Sequence, residues 1–206
     1  LLAEIVLVRA KTLLEKVRVY ELQIQFYRTQ NQVLKGIDIG LQVLALLGVS
    51  LSPIPSNGHL DVKLPELTNL ENLPVMKDPY KLAAMRILRT ITSSVLIAKP
   101  ELLPQVTLTM VNLCIEHGYS ALAAYAYAWY AVLLSARLGN IDAGYQAGQL
   151  ALRLLQQFDA RELKCVVFTT LNSLVRHWKE HSREILASFL EGIQSGLETG
   201  ELEYVG

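Results

Sequence analysis

Apolar residues recur through most of the chain at the spacing of a helix face. Leu186, Phe189, Leu190, Ile193 and Leu197 fall at i, i+3, i+4, i+7 and i+11, one side of a helix. The residues between such runs agree with this reading. Asp78-Pro79 joins an N-cap residue to a proline at the first helical position. Asp159 and Glu162 have the spacing of a capping box. Gly48, Gly118, Gly139 and Gly200 each follow an apolar periodic run, where helix C-termini are expected. Together these signals predict eight helices, over 3–29, 31–47, 79–98, 101–117, 119–138, 141–158, 160–178 and 182–198, with a ninth starting near Glu201. Pro104 has to lie in the first turn of its helix, because an interior proline would break it. Turns as short as Gly139-Asn140 make consecutive helices antiparallel.

The helices pair, and the pairs repeat. Pair starts fall near residues 79, 119 and 160, a period of 40 to 41. A shift of 108 residues lays Val33–Leu47 on Ile141–Leu155, bringing Gly36 onto Gly144 and Gly40 onto Gly148. Leu44, Leu46 and Leu47 then meet Leu152, Leu154 and Leu155. A glycine inside a helix costs about 1 kcal/mol against alanine, so its recurrence needs a reason. Close approach of a neighbouring helix supplies one, and Ala124, Ala126, Ala128 and Ala131 would serve the same end. The expected fold is all-α, with antiparallel helix pairs stacked as a tetratricopeptide-like solenoid. On this reading residues 1–206 form one helical-repeat piece of a longer chain, since the sequence opens on Leu1 and stops inside a pattern. Residues 1–48 form the first pair, and 78–206 form three further pairs and the start of another. Between them, 49–77 carries Pro53, Pro55, Pro65 and Pro74 and is too long for an ordinary connection. Leu60, Val62, Leu64, Leu67, Leu70 and Leu73 make it an irregular insertion lying on the helical surface, with a short helix near 66–71. A binding loop is the alternative.

Composition narrows the function classes. Apolar residues make up 51% of the chain and charged residues only 18%, as expected where helices are buried on more than one side. Lysine plus arginine equal aspartate plus glutamate at 19 each, so charge gives no argument for nucleic acid or for an anionic membrane. The most apolar run, Ala121–Leu134, has 14 residues, against the roughly 20 needed to span a bilayer. No membrane span is expected. Cys114 and Cys165 lie far apart without metal-type spacing and read as buried thiols in a reducing cytoplasm.

A search for chemistry finds little. Phosphate loop, dinucleotide fingerprint, protein-kinase signatures and nucleophile elbow are all missing from the sequence. His177 and His181 have the i, i+4 spacing of zinc ligands, but the glutamate between them is misplaced and the pair straddles a turn. His117 sits in the last turn of a helix, where a protonated ring complements the dipole, and His59 has no evident partner. Glu198, Glu201 and Glu203 read as a solvated face. Tyr125, Tyr127, Trp129 and Tyr130 cover more than one helix face, so part is core and part is a candidate interaction surface. No catalytic, cofactor-binding or metal-ligating residue is assigned, and no cofactor is expected.

Several longer stretches carry a family resemblance. They are DPYKLAAMRIL (78–88), LTMVNLCIEHG (108–118), DAGYQAGQLALRLLQQFDARELKC (142–165), RHWKEH (176–181) and EGIQSGLETGELEY (191–204). They resemble the large bacterial multi-sensor signalling kinases. Such proteins typically join a serine/threonine kinase domain, a P-loop ATPase-like domain, a long helical region, a GAF sensor and a histidine kinase. The resemblance covers nearly the whole chain and implies the helical region after the ATPase. Catalytic residues of that family would lie elsewhere. The implied role is a non-catalytic scaffold or regulatory module that contacts a protein partner or the flanking domains. A rigid spacer between catalytic domains is the alternative, and a metal-dependent hydrolase built on His177 and His181 is a remote one.

Overall fold

The computed structural model describes residues 7–53 and 73–201. The short helix expected near 66–71 and His59 lie outside the described residues, as does all but the first residue of the helix expected near Glu201. The chain is all-helical, with no strand among the described residues. It divides into two compact units, one of residues 1–54 and 75–118, the other of residues 55–74 and 119–206.

The first unit contains α1 (Leu13–Thr29), α2 (Val33–Leu46), α3 (Pro79–Ala98) and α4 (Leu103–His117). The helix predicted over 3–29 is interrupted: residues 7–9 are helical, the chain leaves the helix at 10–12, and α1 begins at Leu13. A capping box sets the boundary: the Thr12 hydroxyl accepts from the Glu15 N–H at 3.3 Å, and the Glu15 carboxylate accepts from the Thr12 N–H. Asp78 caps α3 as expected, accepting from the N–H groups of Tyr80 and Lys81. Pro104 falls in the first turn of α4, behind a 3-10 turn at Pro100–Leu102. Gly118, at φ 94°, ends α4 in a backbone region that side chains disfavour. Gly48, Gly139 and Gly200 also have positive φ at helix ends.

The second unit contains α5 (Leu122–Val132), α6 (Ile141–Gln157), α7 (Arg161–Leu174) and α8 (Ser182–Thr199). Helix α5 runs on into a π turn, Leu133–Arg137. The expected capping box at Asp159 is not formed. Asp159 takes φ 44°, which aspartate tolerates in a tight turn, and its carboxylate accepts from Arg161 Nε at 3.1 Å. No side chain caps α7. That helix also stops short of residue 178, because Val175 leaves helical geometry and a 3-10 turn follows at Arg176–Trp178. His181 caps α8, its Nδ1 accepting from the Arg183 N–H at 3.2 Å.

Each unit packs by the same scheme. In the first, α1 lies on α2, α3 lies on both, and α4 lies on α3. In the second, α5 lies on α6, α7 lies on both, and α8 lies on α7. The second and fourth helices of a unit make at most slight contact with each other. The 108-residue self-similarity maps onto this scheme through the glycines. A Cβ at Gly36 would stand 3.3 Å from the Ile24 carbonyl oxygen of α1, and one at Gly40 would overlap Ile91 of α3. In the second unit a Cβ at Gly144 would overlap Ser135 Oγ in the π turn and stand 2.8 Å from the Ala131 carbonyl oxygen of α5. One at Gly148 would stand 3.2 Å from Leu171 Cδ2 of α7. The first glycine of each pair therefore admits the preceding helix, and the second admits the following one.

Candidate functional site

Because α6 and α8 both rest on α7 and make at most slight contact with each other, a groove of about 840 Å³ opens between them. Leu152 and Leu155 of α6, Phe168 of α7 and Ala187 of α8 give it an apolar lining. Its walls carry opposite charge. Helix α7 contributes Arg161 and Lys164, while α8 contributes Glu184, Glu191 and Glu198, spaced by seven residues and so on one helix face. Lys164 Nζ bridges the walls, donating to Glu191 Oε1 at 2.5 Å, and lies 5.4 Å from the Phe168 ring centre. This ion pair is half-exposed and contributes little to stability. Gly192 lets α8 approach α7, since a Cβ there would stand 3.1 Å from Phe168 Cβ.

One end of the groove is closed by a polar cluster. Arg176 donates from Nε to Glu180 at 2.8 Å and from Nη2 to the same carboxylate oxygen. Its Nη1 donates to Asn172 Oδ1 and to Ser188 Oγ, both at 2.8 Å. Asn172 Nδ2 donates to Ser188 at 3.0 Å, so the cluster ties the 3-10 turn to α7 and α8. The Arg176 and Glu180 side chains are only 15% and 10% exposed, and the guanidinium is committed on every nitrogen. This arginine is a structural clamp. Burial and then the neighbouring Glu180 push the Tyr145 hydroxyl above its ordinary range.

The aromatic cluster does not form a surface. Tyr125, Tyr127, Trp129 and Tyr130 are all buried, at 2%, 0%, 6% and 1% exposure. Helix α5 is packed by both α6 and α7, so more than one of its faces is core, and the intervening alanines allow the close approach. The rings meet edge to face, Tyr119 with Tyr127, Tyr127 with Tyr130 and Tyr125 with Trp129. Trp129 Nε1 and the Tyr130 hydroxyl are buried and find no hydrogen-bond partner among the described residues. Burial pushes the Tyr130 hydroxyl up to about 12.

His177 and His181 do not share a helix face. His177 lies on the 3-10 turn against Trp178, while His181 is the cap of α8. No group of three metal-ligating side chains occurs among the described residues. Cys114 and Cys165 are buried and not joined in a disulfide, and burial raises both above the ordinary thiol value. Among the described residues no helix is long and apolar enough to cross a membrane.

In the first unit the space between second and fourth helices is handled differently. After Gly48 the chain itself crosses from α2 to α4. The Ser52 N–H donates to Thr109 Oγ1 at 2.8 Å, and Asn112 Nδ2 donates to Ser52 Oγ at 3.1 Å. The corresponding space in the second unit is the open groove. The placement of Ser52 on α4 agrees with an insertion lying on the helical surface; the groove was not expected, and the seven-residue spacing of Glu184, Glu191 and Glu198 signals only that they share a helix face.

No family model, curated protein or solved structure matches this chain.

Proposed function

We propose that this chain is a non-catalytic helical-repeat module, its pairs stacked in the tetratricopeptide manner, that holds an extended protein segment in the groove between α6 and α8. One observation carries the reading. The first unit lays a short piece of its own chain, Val49–Ser52, beside α2 and hydrogen-bonds it to α4 through Ser52, leaving a smaller cavity of about 540 Å³. The second unit repeats the packing scheme but leaves the corresponding space open, with an apolar lining and walls of opposite charge. A peptide segment supplies what such a space takes: apolar side chains for Phe168 and Leu155, and charged ones for α7 and α8.

The resemblance to multi-sensor signalling kinases supplies the context. In that setting the module belongs to the helical region of a cytoplasmic kinase chain, and the segment it holds comes from a partner protein or a flanking domain. Two buried cysteines without a disulfide suit a reducing compartment.

Selection from a displayed random peptide library against the 206-residue protein tests the reading. The expected result is a set of sequences whose binding is lost in Phe168→Ala and in Glu191→Lys. A library that yields no groove-dependent sequence leaves the rigid-spacer function and overturns the proposal.

A further inference from the structure

The charges lining the groove do not cancel evenly. Arg161 pairs with Asp159 at 3.1 Å, Lys164 pairs with Glu191 at 2.5 Å, and Arg176 is held by Glu180. Each cation of the lining is thus matched to a carboxylate of this chain. Two acids of the lining remain, Glu184 and Glu198. Glu184 makes no ion pair among the described residues. Glu198 accepts from Gln194 Nε2 at 2.6 Å, a neutral donor that leaves its charge in place. Both acids are exposed. They lie two seven-residue steps apart on one face of α8, about 21 Å at a rise of roughly 1.5 Å per residue. Phe168 is half-buried in the groove and packs beside Gly192, roughly midway between them.

We propose that the segment held here is basic: an extended stretch with two lysine or arginine side chains about six residues apart and an apolar side chain between them. Such a ligand presupposes the peptide-binding role proposed above for the groove, and gives that role its charge and its spacing. An extended chain advances about 3.3 Å per residue, so the distance from Glu184 to Glu198 takes roughly six residues. An even spacing puts both cations on one side of the strand. The residue two positions in from either cation faces the same way, toward Phe168. An acidic segment would meet Glu184 and Glu198 as like charges and would find Arg161 and Lys164 already paired. A neutral apolar segment fills the space over Phe168 and leaves both carboxylates unmatched.

The probe is a fluorescent heptapeptide with lysine at both ends, leucine at its third and fifth positions and serine elsewhere. Anisotropy is followed as the 206-residue protein is added. The lysine-ended peptide should bind roughly tenfold or more tightly than the same peptide ended in glutamate. Glu184→Gln and Glu198→Gln should each weaken it roughly two- to fivefold, with the circular-dichroism melt unchanged because both carboxylates are exposed. Both losses should shrink as salt is raised. Glu184→Lys should reverse the preference at one end, so that a peptide with a single terminal glutamate binds better than the one with two lysines. Two failures are distinguishable. If library-selected peptides depend on Phe168 but carry no paired basic residues, or if the glutamate-ended probe binds as well, the groove still holds peptide and only the basic ligand is overturned. If neither the probe nor any library sequence binds, both readings fall. A helical peptide with its lysines fourteen residues apart that binds more tightly than the heptapeptide overturns the extended spacing.

Discussion

A Cβ placed on Gly144 would stand 2.8 Å from the Ala131 carbonyl oxygen, a backbone atom that cannot swing aside. The same carbon would overlap Ser135 Oγ, which is buried and without a hydrogen-bond partner among the described residues. Gly148, one turn on, is tight only against the movable end of the Leu171 side chain at 3.2 Å, with Val175 and Ala131 at ordinary contact distances of 3.8 and 3.9 Å. These glycines therefore respond differently to the same change. Gly144→Ala should destabilise by roughly 1–3 kcal/mol through overpacking, although alanine is the better helix former. Gly148→Ala should be close to neutral, because a small rotation of Leu171 absorbs the methyl and the helix gains about 1 kcal/mol of propensity. Urea denaturation of the two variants checks this. Equal midpoints would contradict the close-packing account.

The clamp at the end of the groove gives a second prediction. Glu180→Gln leaves the largely buried Arg176 without its counter-charge and should cost about 3 kcal/mol. The same change removes the carboxylate that helps raise Tyr145, so that hydroxyl should ionise at lower pH than in the parent protein. Chemical denaturation and ultraviolet titration of the tyrosines read the two effects separately.

Alkaline pH should unfold the protein in a defined window. Burial raises the Tyr130 hydroxyl from 10.0 to about 12 and raises Cys114 from 9.0. Both groups hold their protons more tightly when folded, so the unfolded chain releases them first. The stability they contribute is complete below the unfolded values and falls as pH climbs past 9.0 and then 10.0. Tyr130→Phe should remove the tyrosine part of this decline. It should also raise stability near neutral pH by up to about 1 kcal/mol, since it deletes a buried hydroxyl that has no partner. Melting temperatures against pH for both proteins provide the check.

Much of this architecture is legible in the sequence. The helix periodicity, the Asp78-Pro79 start, the helix-ending glycines and the recurrence of Gly36 and Gly40 at Gly144 and Gly148 all depend on local rules. Local competition explains two misplaced boundaries. The Thr12–Glu15 capping box overrides an apolar pattern that continues through it, and Asp159 spends its carboxylate on Arg161 instead of the α7 N-terminus. The aromatic helix shows a different limit. Periodicity reports how many faces of α5 are apolar, but whether a neighbour or solvent covers each face depends on α6 and α7 packing on it from two sides. The groove is less legible still, because it exists where α6 and α8 fail to close on each other.

That groove is also where the account is most directly tested. A peptide selected on the protein should be titrated into the isotope-labelled chain and followed by amide chemical shifts. The account predicts perturbations concentrated on Leu152–Gln156, Arg161–Phe168 and the Glu184–Glu198 face of α8, with α5 and the Arg176 clamp little changed. Perturbations centred elsewhere, or the same pattern persisting in Phe168→Ala, would contradict it.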